Sequence, residues 1–279
     1  MRLERLARPG DEVVPADVAT PEGCRAALAG AGQAVYALGL PYAAAAFAAY
    51  APMMRLFVEA ARAAGLRRLL LVTNVYPYGR PQGARVAEDH PRVPCSVKGR
   101  HRKEQEDILL AAAGGGLETM SLRLPDFYGP DVASSYLDLV VKAAVAGRMA
   151  NLLGPADTPH EYLFTPDAGP VVRALLDHPG NVSGAYNLAG AGIITQREMA
   201  NLIFAAAGHA PRLRIMAPWM QNLAGLFVPI IRELNEMRYL HETPVLLDDA
   251  KLRALLPGLR KTPYPEGARQ AVAAAGGRR

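Results

Sequence analysis

The chain has 279 residues, of which 51% are hydrophobic and 20% charged, and its formal net charge is +5. This balance is too apolar for a disordered chain and is typical of a globular protein with a full core. The positive charge comes mainly from arginine, without an array of basic and aromatic residues, so the composition does not support nucleic-acid binding. Cys24 and Cys95 lie far apart and lack metal-ligand spacing, which predicts neither a disulfide framework nor a metal site.

Membrane insertion and secretion are not predicted either. The N-terminal residues carry no apolar core of the signal-peptide type. The longest apolar run, residues 43–54, contains Pro52 and is too short to span a bilayer. We therefore expect a cytoplasmic protein without a membrane partner.

In chain order, the first half is predicted to alternate strands and helices. The predicted elements are a strand at 13–14 that ends at Asp17, a helix at 21–29, a strand at 33–38, a helix at 42–64 with a kink or break at Pro52, a strand at 69–72, a helix at 97–113 and a strand at 118–124. Right-handed crossovers between such elements give an α/β fold with a doubly wound parallel sheet.

The pattern changes after residue 130, which divides the chain into a predicted core of residues 1–130 and an interleaved lobe of residues 131–279. The lobe is predicted to hold helices at 134–146, 167–177, 195–207 and 248–256, strands at 149–152, 162–165 and 185–188, and a helical region at 217–239 interrupted at Pro229. Thr195, with Glu198 three residues later, predicts a capping box at the start of one of these helices.

The stretch LLLVTNVYPYG at 69–79 begins as a buried strand and ends in polar side chains. Thr73, Asn74 and Tyr76 are the first of these, and Tyr78 is expected to pack as a structural residue. In an open α/β sheet, ligands bind at the carboxyl ends of the strands. The same groups could instead merely satisfy the backbone where the strand ends.

Five segments in this order resemble the extended short-chain dehydrogenase/reductase superfamily, in its NAD-dependent epimerase/dehydratase group. They are Asp17 followed by residues 20–39, TNVYPYG at 73–79, RLPDFYGP at 123–130, TPD at 165–167 and AYNLAG at 185–190. The resemblance implies a Rossmann-like sheet, a smaller C-terminal substrate lobe, and NAD or NADP as cofactor.

The resemblance also implies roles for the matching residues. Asp17 would contact the adenine ring of the cofactor, or would simply cap the helix that follows. Thr73 and Asn74 would flank the reacting group of the substrate, with Asn74 where the family carries a serine. The residues implied for the cofactor cleft are Leu38, Gly39, Leu124 and Pro125, and Asp126 stands where the family places a polar substrate contact. We also expect Tyr76 to contact the substrate, with His160 and Tyr162 near the entrance of the substrate cleft.

One departure from the family is the missing GxxGxxG turn after the first strand. Gly30 and Gly32 follow a predicted helix and precede a strand, which is the wrong order for cradling a pyrophosphate. The chain is therefore expected to begin near the end of the family's second strand, as a truncated reading of a longer gene or with its remaining pieces rearranged. The basic residues Arg2, Arg5 and Arg8 hint at a 2′-phosphate.

A second departure is the missing Tyr-x-x-x-Lys pair, whose positions are best matched by Lys98 and Arg102. These residues lie at i and i+4, on one face of a helix. Lys98 could act as the acid/base, because like-charge repulsion lowers a lysine pKa, while Arg102 would anchor ribose or phosphate. The alternative is a solvated basic face formed with Arg100 and Lys103.

These patterns predict an atypical NAD(P)-dependent oxidoreductase or epimerase-like protein that acts on a small polar or sugar-derived substrate. One alternative is a non-catalytic relative that binds a dinucleotide or metabolite and regulates a partner. Another is an inactive fragment from a mis-assigned start. By analogy with the family, helices 42–64 and 97–113 could form a homodimer interface.

Overall fold

The computed structural model describes residue 7, residues 9–132 and residues 135–277, so Arg2, Arg5, Arg8 and Ser134 lie outside the described residues. The helices are α1 Pro21–Leu28, α2 Ala44–Phe47, α3 Tyr50–Ala63, α4 Val97–Ala111, α5 Tyr136–Val145, α6 Thr165–Leu176, α7 Gln196–Ala206, α8 Pro218–Phe227, α9 Pro229–Glu236, α10 Tyr239–Glu242, α11 Ala250–Leu255 and α12 Tyr264–Gly276. The strands are β1 Gln33–Tyr36, β2 Arg68–Asn74, β3 Glu118–Leu124, β4 Asp126–Tyr128, β5 Ala150–Leu153, β6 Pro159–His160, β7 Tyr162–Phe164, β8 Gly184–Asn187, β9 Ile194–Thr195 and β10 Leu213–Met216.

A four-stranded parallel sheet in the order β1-β2-β3-β8 forms the centre of the fold. Strand β2 is buried on both faces, as its apolar run predicts. Leu69 and Leu71 pack with helices α1 and α3 on one face, while Leu70 packs with α6 and α11 on the other. Because successive side chains of a strand point to opposite faces, helices cover both sides of the sheet. The predicted doubly wound α/β fold is confirmed.

Strand β1 forms one edge of this sheet, and its outer side pairs with no strand within the described part of the chain. The predicted strand at 13–14 is wrong, because neither residue belongs to a strand. Val13 and Val14 are instead exposed at 36% and 40%. Residues 13–14 pair with none of the described strands, so no sheet neighbour satisfies their backbone groups.

The helix predicted at 42–64 is two helices, α2 and α3, separated at residues 48–49. The break lies before Pro52, which occupies the first turn of α3. A proline is tolerated there because the N–H groups of the first turn have no partner within the helix. Pro52 therefore lies inside a helix start rather than at a kink.

The smaller lobe packs around a second core formed by α5, α7 and α12. Its capping box at Thr195 and Glu198 is confirmed, as is the interruption of the 217–239 region at Pro229. Helix α12 was not predicted, and it packs so closely that a side chain at Gly267 would meet the Tyr128 hydroxyl at 2.3 Å. In the part of the chain that the structure describes, no helix has the length and apolar character needed to cross a bilayer.

Candidate functional site

The carboxyl ends of β2 and β3 lie side by side, because Asn74 is in register with Leu124. The Asn74 side-chain oxygen accepts the backbone N–H of Tyr76 at 3.1 Å and starts the 3₁₀ turn Tyr76–Tyr78. The Asn74 side chain thus satisfies a backbone group where the strand ends, which is the alternative to a ligand-binding role. The buried Thr73 hydroxyl, by contrast, has no hydrogen-bond partner in the structure. The carboxyl end of β2 therefore carries one hydroxyl without a hydrogen-bond partner in the structure, that of Thr73.

Tyr78 packs as a structural residue, as predicted. Its hydroxyl donates to the Asn187 side-chain oxygen at 2.8 Å and accepts from Arg123 at 2.6 Å. Arg123 in turn donates to the buried Glu106 carboxylate at 2.7 Å. This network joins strands β3 and β8 and the 3₁₀ turn after β2 to α4 beneath the site.

Lys98 is fully buried at the start of α4, and α9 surrounds its ammonium group with acceptors. Its Nζ donates to Glu236 Oε2 at 2.6 Å, to the Glu233 carboxylate, and to the Glu233 carbonyl at 3.2 Å. Glu236 also accepts the backbone N–H groups of Val97 and Lys98. We call Lys98, Glu233 and Glu236 the lysine clamp. Two carboxylates neutralise its cation, so Lys98 fixes α9 against α4.

Glu233 shows the electrostatic effect of the clamp. Burial alone would raise the pKa of its carboxyl, but hydrogen bonds from Lys98 and from the backbone of Ala44 lower the pKa below its usual value. The Glu233 carboxylate is therefore charged near neutral pH, and it pairs with Lys98 Nζ. This arrangement does not favour proton exchange at Lys98, whose predicted role stays a prediction.

Arg102 is buried one turn after Lys98, with its guanidinium 4.5 Å from the centre of the Tyr50 ring. It donates to the Gln105 side chain at 2.8 Å and to the Val72 carbonyl at 3.3 Å. The alternative of a solvated basic face is thus wrong for Lys98 and Arg102, because the sheet and neighbouring helices cover both. Contact of Arg102 with ribose or phosphate stays a prediction.

Asp126 and His160 form a hydrogen-bonded pair beyond the end of β3, which we call the dyad. The first residue of β4 is Asp126, in register with Tyr162 of β7, and His160 ends β6 just before it. The Asp126 Oδ2 and His160 Nε2 atoms are 3.0 Å apart. Burial would raise the pKa of Asp126, but the bond with His160 and the nearby imidazoles lower the pKa overall. The side chains remain 25% and 10% exposed, respectively.

Aromatic rings surround the dyad. The His160 ring centre lies 4.6 Å from that of Tyr162 and 5.9 Å from that of His241 in α10. Tyr136 contacts Tyr162 and His241. Its ring centre lies 5.4 Å from that of His241, and its hydroxyl is hydrogen-bonded to the Tyr162 hydroxyl. Burial raises the pKa of both tyrosines and lowers the pKa of His241 to about 4. These three groups are therefore uncharged near neutral pH.

A second tyrosine pair lies between the dyad and the clamp. The hydroxyls of Tyr42 and Tyr76 are 3.3 Å apart, and the Tyr42 ring lies 5.1 Å from Lys98 Nζ. Burial and the negative charge of Asp126 both raise the pKa of each phenol. They are hydrogen-bonding hydroxyls rather than phenolates at neutral pH.

The structure thus brings together Asn74, Tyr76, Asp126, His160 and Tyr162 from the predicted set. His241, Tyr136 and Tyr42 were missed, because no local motif marks them and folding alone brings them to the dyad. Among the described residues, no group of three or more His, Cys, Asp or Glu side chains is placed to hold a metal ion.

The other residues predicted for the cofactor cleft flank α1 and β1. The Asp17 carboxylate accepts the Ala19 N–H at 3.0 Å, in the turn that leads into α1, whose N-cap is Thr20. Leu38 is 36% exposed, and Gly39 has open space around it. Both follow the edge strand β1.

Comparison with known structures agrees with this architecture. The UDP-glucose 4-epimerase of Thermus thermophilus, solved with NAD, has 20% identity and a TM-score of 0.77, over 97% of this chain and 86% of that one. The enzyme WbmH of Bordetella bronchiseptica, solved with NAD⁺, has 19% identity and a TM-score of 0.76, over 96% and 84% of the chains. At these identities the likeness shows the fold alone.

Sequence comparison adds the family. No curated protein matches the chain. The sequence model of the NAD-dependent epimerase/dehydratase family matches residues 16–189, which include β1, β2, β3 and the dyad. The match covers more than half of the chain. It includes the five segments that carry the resemblance in sequence, except for Gly190 at the end of the last one. The chain belongs to the NAD-dependent epimerase/dehydratase family.

Proposed function

We propose that this protein is an epimerase-like enzyme of the family that uses the Asp126–His160 dyad, rather than Lys98, for proton transfer. The observation that supports this most strongly is the 3.0 Å contact between Asp126 Oδ2 and His160 Nε2 at the carboxyl end of the sheet. A histidine oriented by a carboxylate is a frequent general acid/base in enzymes. The tyrosines around it have raised pKa values, which leaves them as hydroxyl donors.

The dyad can exchange one proton with a substrate hydroxyl. When His160 donates through Nε2 to Asp126, Nδ1 is the acceptor nitrogen of the ring. Nδ1 would take the hydroxyl proton, and the Asp126 carboxylate would stabilise the imidazolium that forms. The Tyr76 hydroxyl, 3.3 Å from that of Tyr42, would orient the same substrate.

The described residues suit the nicotinamide end of the dinucleotide cofactor but not its pyrophosphate. NAD is the family's cofactor, and it supplies hydride transfer when bound. The unpartnered Thr73 hydroxyl and the open space at Gly39 suit the nicotinamide end, beside Leu124 and Pro125. For the pyrophosphate, the described residues contain no glycine-rich turn between a strand and a helix. We therefore expect NAD to bind this chain more weakly than chains with that turn.

The structural neighbours suggest a substrate class for this protein. The Thermus protein is a UDP-glucose 4-epimerase, and a Bacillus cereus protein of 13% identity and TM-score 0.72 is a UDP-glucuronic acid 4-epimerase. We therefore propose a nucleotide sugar, with its reacting sugar hydroxyl at the dyad. NAD is favoured over NADP by these neighbours, while Arg2, Arg5 and Arg8 lie outside the described residues.

The test is epimerisation of UDP-glucose and UDP-glucuronic acid with NAD, followed by proton NMR of the sugar. The proposal expects product with the wild type and at least about a hundredfold less with His160→Gln, a loss in the range typical of general acid/base groups. Activity that His160→Gln leaves intact would contradict the role of the dyad.

A second candidate function is the non-catalytic relative that binds a nucleotide ligand. The lysine clamp favours it, because the cation at the position of the family's tyrosine is neutralised by two carboxylates. Calorimetry separates the two functions, since this alternative predicts binding of NAD or a nucleotide sugar with no product in the NMR assay.

A further inference from the structure

The helices α8 and α9 form a hairpin whose exposed surface is apolar. Seven of the sixteen large apolar side chains that are exposed in the described residues lie between residues 215 and 230. Phe227, Leu226 and Trp219 are 80%, 75% and 67% exposed. The others are Ile215, Leu223, Val228 and Ile230. Contiguous apolar surface of this kind marks an interaction site.

Helix α8 turns its apolar face outward, which is the reverse of what is expected for a helix on the surface of a globular protein. Trp219, Leu223, Leu226 and Phe227 stand at i, i+4, i+7 and i+8, which places them on one face of the helix. That face is exposed, whereas the buried residues of α8 are Gln221 and Gly225. Surface helices normally turn their apolar face to the core. The outward apolar face of α8 therefore suits an apolar binding partner.

The inward faces explain why the hairpin holds this orientation. A side chain at Gly225 would meet the Arg232 backbone at 3.3 Å, so this glycine allows α8 and α9 to approach closely. The Asn235 side chain donates to the Gln221 carbonyl at 3.2 Å. The two acids of α9 point inward to Lys98. These polar groups of the hairpin thus face the body of the protein.

The charged side chains in and next to the hairpin that remain exposed are positive. Residues 207–232 contain three arginines, Arg212, Arg214 and Arg232, and no aspartate or glutamate. All three arginines are exposed. A second copy of this surface would bring like charges together, whereas an anionic headgroup layer would complement them. Neither helix exceeds ten residues, or about 15 Å at 1.5 Å per residue, so the hairpin could lie in the interface without spanning the bilayer.

We propose that the α8–α9 hairpin is a membrane-surface anchor, which inserts Trp219, Leu226 and Phe227 among the headgroups of an anionic bilayer. Apolar and aromatic side chains bordered by arginine are the pattern of peripheral helices that bind in this way. The proposal departs from the sequence-based expectation of no membrane partner, which concerned spanning segments and not surface binding. It does not depend on the chemistry at the dyad.

Trp219 is the chain's single tryptophan and gives the test its signal. Titration of the full chain with phosphatidylcholine vesicles containing phosphatidylglycerol should shift tryptophan emission to the blue, and high salt should weaken the shift. Vesicles of phosphatidylcholine alone should bind more weakly. The double change Leu226→Ser with Phe227→Ser should weaken binding at least about tenfold. Each of Arg214→Gln and Arg232→Gln should weaken it about fivefold.

The matched control is Leu139→Ser, which removes a comparably exposed leucine from α5 and should leave binding unchanged. Circular dichroism should be unchanged in every variant, because the replaced side chains are exposed. An unchanged emission spectrum with anionic vesicles would overturn the proposal. So would lipid-free dimerisation that the Leu226 and Phe227 changes abolish, since the surface would then belong to a second copy.

Discussion

The lysine clamp and the dyad lie at the same end of the sheet but differ in how their charges are used. Two carboxylates of α9 hold the buried Lys98 ammonium. His160 has a single carboxylate partner, and both dyad side chains keep some exposure. The clamp therefore has the features of a structural anchor, and the dyad those of a proton-exchanging site. The role of a residue therefore depends on the side chains that surround it as well as on its place in the sequence.

The largest expected effect is on the dyad. Asp126→Asn keeps the size of the side chain but removes the charge that stabilises the imidazolium, so turnover of the nucleotide sugar should fall about 10²- to 10⁴-fold. Proton NMR of the product measures this loss. The control Asp157→Asn changes a carboxylate paired with Arg197 at the surface and should not alter turnover. If the two variants behave alike, the dyad is not the catalytic centre.

Breaking the clamp should mainly affect stability. Lys98→Met leaves Glu233 and Glu236 facing each other without their cation, and the free energy of unfolding should fall by about 3 kcal/mol. Urea unfolding measures the change. The control Lys103→Met removes an exposed pair with Asp107 and should cost less than about 1 kcal/mol. Equal losses in the two variants would show that the clamp stabilises the fold no more than a surface pair does.

His241 should make stability depend on pH, since burial lowers its pKa from 6.5 to about 4. A histidine whose folded pKa is depressed stabilises the fold above the unfolded pKa, and this stability is lost as the pH falls from about 6.5 to about 4. Allowing for its partial exposure, we expect about 2 kcal/mol of loss. His241→Gln should flatten this part of the pH curve, whereas the exposed His209 should be replaceable by Gln without effect. A wild-type curve that is already flat would contradict the assignment.

The tyrosine pair should give the smallest effect. Tyr76→Phe removes the hydrogen bond to Tyr42, at a cost of about 1 kcal/mol in unfolding free energy. Turnover should fall less than in Asp126→Asn, because the raised pKa of Tyr76 keeps it a hydroxyl donor. The control Tyr36→Phe removes a buried hydroxyl that has no hydrogen-bond partner among the described residues, and it should be neutral or stabilising. Abolished turnover in Tyr76→Phe would move the proton exchange from His160 to Tyr76.

The central strands could be predicted because their signal is local. The apolar run of β2 and the flanking glycines place it without knowledge of the rest of the fold, and Glu118–Leu124 forms β3 as predicted. Helix α7 likewise carries its own start signal in Thr195 and Glu198. Helix α12 has no side-chain N-cap, although Pro265 and Glu266 stand in its first turn, and it packs closely at Gly267 against Tyr128.

The site could be predicted only in part, because its chemistry depends on contacts between distant residues. Asp126 and His160 are 34 positions apart; the family resemblance implied the first as a substrate contact, and the second was expected near the entrance of the cleft. Glu233 and Glu236 lie 135 and 138 positions from Lys98, so no residue near Lys98 in sequence indicates the clamp. Their contact with the lysine is a product of the tertiary fold.

The most direct test of the account compares turnover in His160→Gln and Lys98→Met, with both variants assayed at a temperature where circular dichroism shows them folded. We predict that His160→Gln loses at least about a hundredfold in kcat, as expected for removal of a general acid/base, while Lys98→Met stays within about tenfold of the wild type. The reverse order, with Lys98→Met inactive and His160→Gln near the wild type, would contradict the account.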